Sequence, residues 1–131
     1  MGYRSDVTIV MYPKRKEDFA ALKLYADETF PDKFEVHEVN FKYSEREEGF
    51  QYLLLEIDSI KWYEGYEEVD VYTRAFSKWD TMFIDEYEPE QGSIFHYEFV
   101  RFGEDYEDIV YDRSVDSDMI LGVDRNAYVN V

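Results

Sequence analysis

Cysteine is missing from all 131 residues. Disulfides, thiolate metal sites and cysteine nucleophiles are therefore excluded together, and the chain suits a reducing compartment such as the cytoplasm of a cell. Histidine is scarce, with only His37 and His96. None of the 6 glycines falls in a GxGxxG or GxxxxGK pattern, so no phosphate-cradling loop is spelled out. The serines lack the context of a nucleophile elbow. No apolar run approaches the roughly 20 residues that span a bilayer, and Met-Gly-Tyr-Arg-Ser-Asp at the start contains no apolar signal core. Met1-Gly2 is a poor acylation signal, because Asp6 stands where Ser or Thr is needed. Positive charge is short as well: 14 Lys+Arg face 31 Asp+Glu, a net charge of -17. Such a chain repels nucleic acid and anionic membrane and attracts basic surfaces.

What is present is apolar and aromatic. Hydrophobic residues make up 45% of the chain, enough for a folded core despite the charge. The length suits a single domain over residues 1–131, which would bury roughly two-thirds of its unfolded surface. Aromatics reach 19%, with 13 Tyr and 10 Phe. A small core does not require 13 tyrosines, so some are expected on the surface, where Tyr gives contact area at low entropy cost.

Phe50 to Trp62 is the most apolar stretch and the centre of the expected fold. At period two, Leu53, Leu55 and Ile57 share one face, and Phe50, Tyr52 and Leu54 the other. Apolarity on both faces marks a central strand. Before it come a β-branched strand over 6–12, ended by Pro13, and a helix over 14–30. Phe19, Leu22, Ala26 and Phe30 form one helical face, and Pro31 stops it. A strand from Phe34 to Tyr43 changes parity near Glu38, which suggests a bulge. Residues 44–49 are a charged hairpin connection. After the central strand, Val69, Tyr72, Phe76, Trp79 and Phe83 predict a second helix over 67–83. Residues 85–92 form an acidic loop. A strand over 93–102 follows, with Phe95, Tyr97 and Phe99 on one face and Ile94, Val100 and Phe102 on the other. A turn at 103–105 returns a short strand over 109–111. Met119-Ile120-Leu121 is expected to add a strand or dock on the core. The order predicts an α+β, ferredoxin-like βαββαβ antiparallel sheet with two helices on one face and an added C-terminal hairpin strand. Strands one and three would be central. The face away from the helices would be open, or covered by the tail or a partner.

Catalytic and metal chemistry find little support. The strands of His37 and His96 are expected on opposite sides of the central pair, too far apart for a shared site. Asp112, Asp116, Asp118 and Asp124 are the nearest thing to a metal loop, but their spacing is not that of an EF-hand and Gly122 is misplaced for one. An enzyme built from Asp, Glu, Tyr and Arg alone, in the manner of a glycosidase, would need a deep cleft that nothing in the pattern implies. No cofactor or metal is expected.

The acidic segments carry the functional expectation. Residues 64–131 hold 5 Lys+Arg against 18 Asp+Glu, a net of -13. Glu64, Glu67, Glu68 and Asp70 open the second helix, where acids complement its dipole. Asp85, Glu86, Glu88 and Glu90 surround Tyr87, and Glu104, Asp105, Glu107 and Asp108 surround Tyr106. Carboxylates with rings between them can imitate phosphates with stacked bases. At one charge per about 1.7 Å of duplex, thirteen charges match roughly 22 Å. The plain alternative is a solubilising acidic surface.

The opening Gly2-Tyr3-Arg4-Ser5-Asp6-Val7 and the turn Phe99-Val100-Arg101-Phe102-Gly103-Glu104-Asp105 resemble segments of small phage-encoded proteins. Size, acidity and lack of cysteine are also similar to those of phage inhibitors of bacterial defence, including anti-CRISPR proteins, several of which act as nucleic-acid mimics. That group shares a role rather than a fold, so the resemblance carries no residue assignments. The leading expectation is a non-enzymatic inhibitor. Its face of Glu64, Glu67, Glu68, Asp85, Glu86, Tyr87, Glu88, Glu90 and Glu104 to Asp108 would bind a basic nucleic-acid-binding surface of a host protein, with no direct nucleic-acid or membrane contact. The second is a structural or ligand-binding domain that forms a homodimer through the open sheet face.

Overall fold

A computed structural model describes residues 4–38, 50–63, 65–84, 93–103, 108–114, 117, 120–123 and 127–129. Strand β1 runs Ser5–Pro13, and the chain then makes a 3-10 turn over Lys16–Asp18 before helix α1, Phe19–Thr29. The helix starts later than its periodicity predicts. The Lys14 backbone N–H donates to Ile94 O at 2.8 Å, so the chain is still tied to the neighbouring strand there. Strands β2, Glu35–Glu38, and β3, Gln51–Ile60, lead to helix α2, Glu67–Met82. Strands β4, Phe95–Phe102, and β5, Ile109–Arg113, follow, and β6, Leu121–Val123, pairs with β7, Ala127–Val129. The expected continuation of β2 to Tyr43, with its hairpin, lies outside the described residues.

The main sheet has the order β2-β3-β1-β4-β5, and every neighbouring pair is antiparallel. β1 is therefore central with β3 beside it, where the two-faced apolar pattern of β3 belongs. Five antiparallel strands and two helices fit the ferredoxin-like α+β class.

Strand parity sorts the core into two layers. Val7, Ile9, Met11, Leu53, Leu55 and Phe99 face the helices and meet Leu22 and Ala26 of α1 and Tyr72, Phe76 and Trp79 of α2. This layer is largely aromatic. Phe76 stacks on Tyr97 at 4.1 Å and Tyr72 on Phe30 at 4.6 Å, while Trp79, fully buried, donates its indole N–H to Phe95 O at 2.8 Å. Paired rings add to plain area burial, and the buried indole keeps a partner.

The other face is not open. Val10, Tyr12, Tyr52, Leu54 and Val100 are buried there with Ile120 and Leu121 of the tail, and Ala127 and Val129 pack against them. Ile94, expected on that face, precedes β4 and packs on the helix side. Its N–H donates to Phe83 O at 2.8 Å, which caps the end of α2 instead of continuing the strand.

Candidate functional site

The sequence-derived acidic face is only partly within the described residues. Glu64, Asp85, Glu86, Tyr87, Glu88, Glu90, Glu104, Asp105, Tyr106 and Glu107 lie outside them. Glu67 and Glu68 are exposed in the first turn of α2, and Glu67 accepts from Arg74 at 3.1 Å. Asp108 is half-buried. Both of its oxygens accept from the Arg101 guanidinium, at 2.9 and 3.2 Å, and the same arginine donates to Ser5 Oγ at 3.1 Å. A fork of this kind gives Asp108 a partner within the chain. Of the Asp112 metal-loop candidates, only Asp112 is described, and its Oδ2 accepts from Tyr97 at 2.9 Å.

The two histidines are separated by β3 and β1, three strand spacings or about 14 Å. His37 lies 3.1 Å from Glu35 and stacks on Tyr52. His96 is buried with Nδ1 3.1 Å from Ser114 Oγ. Each has its own local partner.

Tyrosine and carboxylate are coupled inside the molecule. Glu98 of β4 is fully buried, and its two oxygens accept from Tyr12 Oη at 2.6 Å, Tyr111 Oη at 3.1 Å, and the N–H groups of Ile120 at 3.1 Å and Leu121 at 2.9 Å. Tyr72 donates to Asp32 at 2.8 Å and Tyr97 to Asp112. Phenols thus do for these carboxylates what the scarce cations cannot. Among the described tyrosines Tyr66 and Tyr111 are exposed, as expected of some, while Tyr12, Tyr52, Tyr72 and Tyr97 are buried. Burial, and then the Asp112 carboxylate, hold the Tyr97 phenol well above the ordinary tyrosine range. Tyr72 is raised in the same way by burial and Asp32. Although 37% of Tyr111 is exposed, its hydroxyl is turned to Glu98, and burial and that carboxylate push it up to about 12.

A cleft of about 540 Å³ opens between α2 and β5. Its origin is architectural. The fifth strand extends the sheet past α2, so the helix-side surface of β5 is left exposed. Trp62 and Phe76 form a wall, Tyr97, Phe99 and Arg101 the floor, and Val110 the rim. Two hydroxyls, Thr73 and Ser77, also line it, but each donates back to its own helix, to Asp70 O and Arg74 O. Sequence reasoning passed over this cleft. The available signal was Arg101, a charge that continues the Phe95, Tyr97, Phe99 row just where helix cover ends.

Comparison with protein families, with curated proteins and with solved structures finds no match to the chain. No helix among the described residues is long and apolar enough to cross a membrane.

Proposed function

We propose that the chain is a non-enzymatic, anti-CRISPR-like phage inhibitor. On this reading its ferredoxin-like βαββαβ domain, extended by β5, occupies a basic nucleic-acid-binding surface of a defence protein in the host cytoplasm. The carrying observation is the surplus of carboxylates: 31 acids against 14 cations leave 17 with no cation of the chain to pair with. Exposed acids occur on several elements, including Glu35 and Glu38 of β2, Glu56 and Asp58 of β3, and Glu67 and Glu68 of α2. A surface of this sign competes with phosphate for basic channels. The cleft is lined mainly by apolar and aromatic side chains. Asp112 is the one carboxylate among its described lining residues, and the Tyr97 phenol beside it is held protonated at neutral pH.

Self-association through the sheet face away from the helices is the weaker reading, because Ile120, Leu121, Ala127 and Val129 lie on that face.

The test is a low-salt pull-down from a bacterial lysate, eluted by salt steps, followed by competition with duplex DNA for whatever is recovered. A nucleic-acid-binding complex that elutes as salt rises and loses DNA to the chain is the expected result. Simultaneous binding of DNA and chain would rule out mimicry. So would undiminished binding after Glu86, Glu88, Glu104 and Asp105 are changed to Lys.

A further inference from the structure

The two edges of the main sheet differ. The described part of β2, Glu-Val-His-Glu, carries two glutamates, in the way that natural edges are protected from pairing by charge. β5 is Ile-Val-Tyr-Asp-Arg, without proline or lysine, and its apolar side chains are exposed: Ile109 by 43% and Val110 by 40%. Its pairing with β4 fixes which backbone groups point outward. Gly103 N donates to Asp108 O, and Ser114 N donates to Tyr97 O. Hydrogen-bonded and non-bonded pairs alternate in an antiparallel ladder, so 108, 110, 112 and 114 bond inward to β4. Ile109, Tyr111 and Arg113 therefore face out. The Arg113 N–H is taken by Asp112 Oδ1 at 2.9 Å, which closes the open stretch at that end. Ile109 and Tyr111 present their N–H and C=O groups to whatever lies beyond β5.

We propose that this edge accepts an extended basic segment of the partner as an added strand, with apolar residues at its centre and lysine or arginine at its ends. The proposal rests on the reading that the partner is basic and adds how it is held. A strand laid beside β5 gains main-chain hydrogen bonds from Ile109 and Tyr111. Its alternate side chains fall over Val110 at the rim of the aromatic cleft, which is the pocket that such strand addition uses for specificity. Charge decides the occupant. A net of -17 repels a second copy and any acidic peptide, and attracts basic flanks.

The probe is the peptide Lys-Lys-Val-Thr-Val-Thr-Val-Lys-Lys, compared with a version methylated on alternate backbone nitrogens and with one whose lysines are glutamates. Amide hydrogen exchange of the chain is the readout. The unmodified basic peptide should slow exchange at Ile109 and Tyr111. Methylation, which keeps charge and side chains but blocks the ladder, should weaken binding about tenfold or more. The acidic peptide should bind more weakly still. Ile109→Pro removes an outward N–H and no ladder bond to β4, so it should abolish peptide binding with little loss of stability. Equal binding of the methylated peptide with exchange unchanged would overturn strand addition while leaving the acidic-surface reading standing. Equal binding of the acidic peptide would overturn the basic occupant. Slowing of the same two amides by raised concentration of the chain alone would assign the edge to a second copy and overturn the proposal.

Discussion

At position 98 a carboxylate stands in a row that otherwise faces the apolar layer beneath the tail. It survives burial because four donors fill its two oxygens, two from tyrosines and two from the tail backbone. Glu98→Gln would turn an amide N–H₂ toward two of those donors. The expected loss is about 3 kcal/mol of unfolding free energy, checked by urea denaturation; a change under about 0.5 kcal/mol would contradict the account. Tyr12→Phe removes one donor and should cost about 1–2 kcal/mol. The phenols make a second, pH-dependent prediction. Tyr72, Tyr97 and Tyr111 hold their protons more tightly folded than unfolded. The stabilisation linked to that is complete below the ordinary tyrosine value of about 10 and fades as pH rises through the folded values. For Tyr111 that window runs from about 10 up to about 12. Tyrosinate absorbance should therefore show a set of phenols that ionise only as the chain unfolds. Smooth titration of every tyrosine near pH 10, with the fold intact, would exclude the tyrosine–carboxylate pairs. None of this pairing is announced by residue type. Tyrosine abundance and acid abundance are each visible in composition, but their pairing depends on strand register.

Among the elements, the tail does what Met119-Ile120-Leu121 leads one to expect from sequence and docks on the core. Ile120 and Leu121 are buried against β1, β3 and β4, and their N–H groups hold Glu98. A chain ending at Ser117 should expose Val10, Tyr12, Tyr52 and Leu54 and self-associate, and added salt should strengthen that association. Sedimentation at two salt concentrations checks this; a monomeric truncated chain would mean the far face tolerates water. A second element-scale test lies in β3. The β1–β3 register shifts between Ser5 and Val7, and opposite the shift Ser59 adopts a φ of 55°. Its N–H donates to Asp6 and its carbonyl accepts from Arg4, so the neighbouring strand holds the strained residue in place. Ser59→Gly should be neutral to stabilising by up to about 1 kcal/mol, and Ser59→Val destabilising, both read from thermal unfolding. Strand and helix identity are legible beforehand because parity and helical spacing agree over long runs in β1, β3, β4 and α2. The bulge at Ser59 and the late start of α1 are not. Both depend on residues distant in sequence: the side chains of Arg4 and Asp6 hold Ser59, and the Ile94 carbonyl holds Lys14.

Over the whole molecule, the surplus of acid makes two salt responses run in opposite directions. The net charge of -17 strains the folded chain through self-repulsion, since folding brings the carboxylates closer together. Salt shortens the Debye length from about 30 Å at 0.01 M to about 10 Å at 0.1 M, which relieves repulsion between exposed acids. Buried pairs such as Tyr12–Glu98 are screened much less. The midpoint of thermal unfolding should therefore rise over this range, on the order of 5 °C, and then level off. Affinity for a basic partner should fall over the same range, because the same screening removes the attraction. A midpoint that rises while affinity stays constant would show that the acids act only within the molecule, as a solubilising surface. A flat midpoint with falling affinity would place the unpaired carboxylates too far apart to repel one another yet still in the path of the partner. Both trends together are what the proposed role of the acids in binding a basic partner predicts.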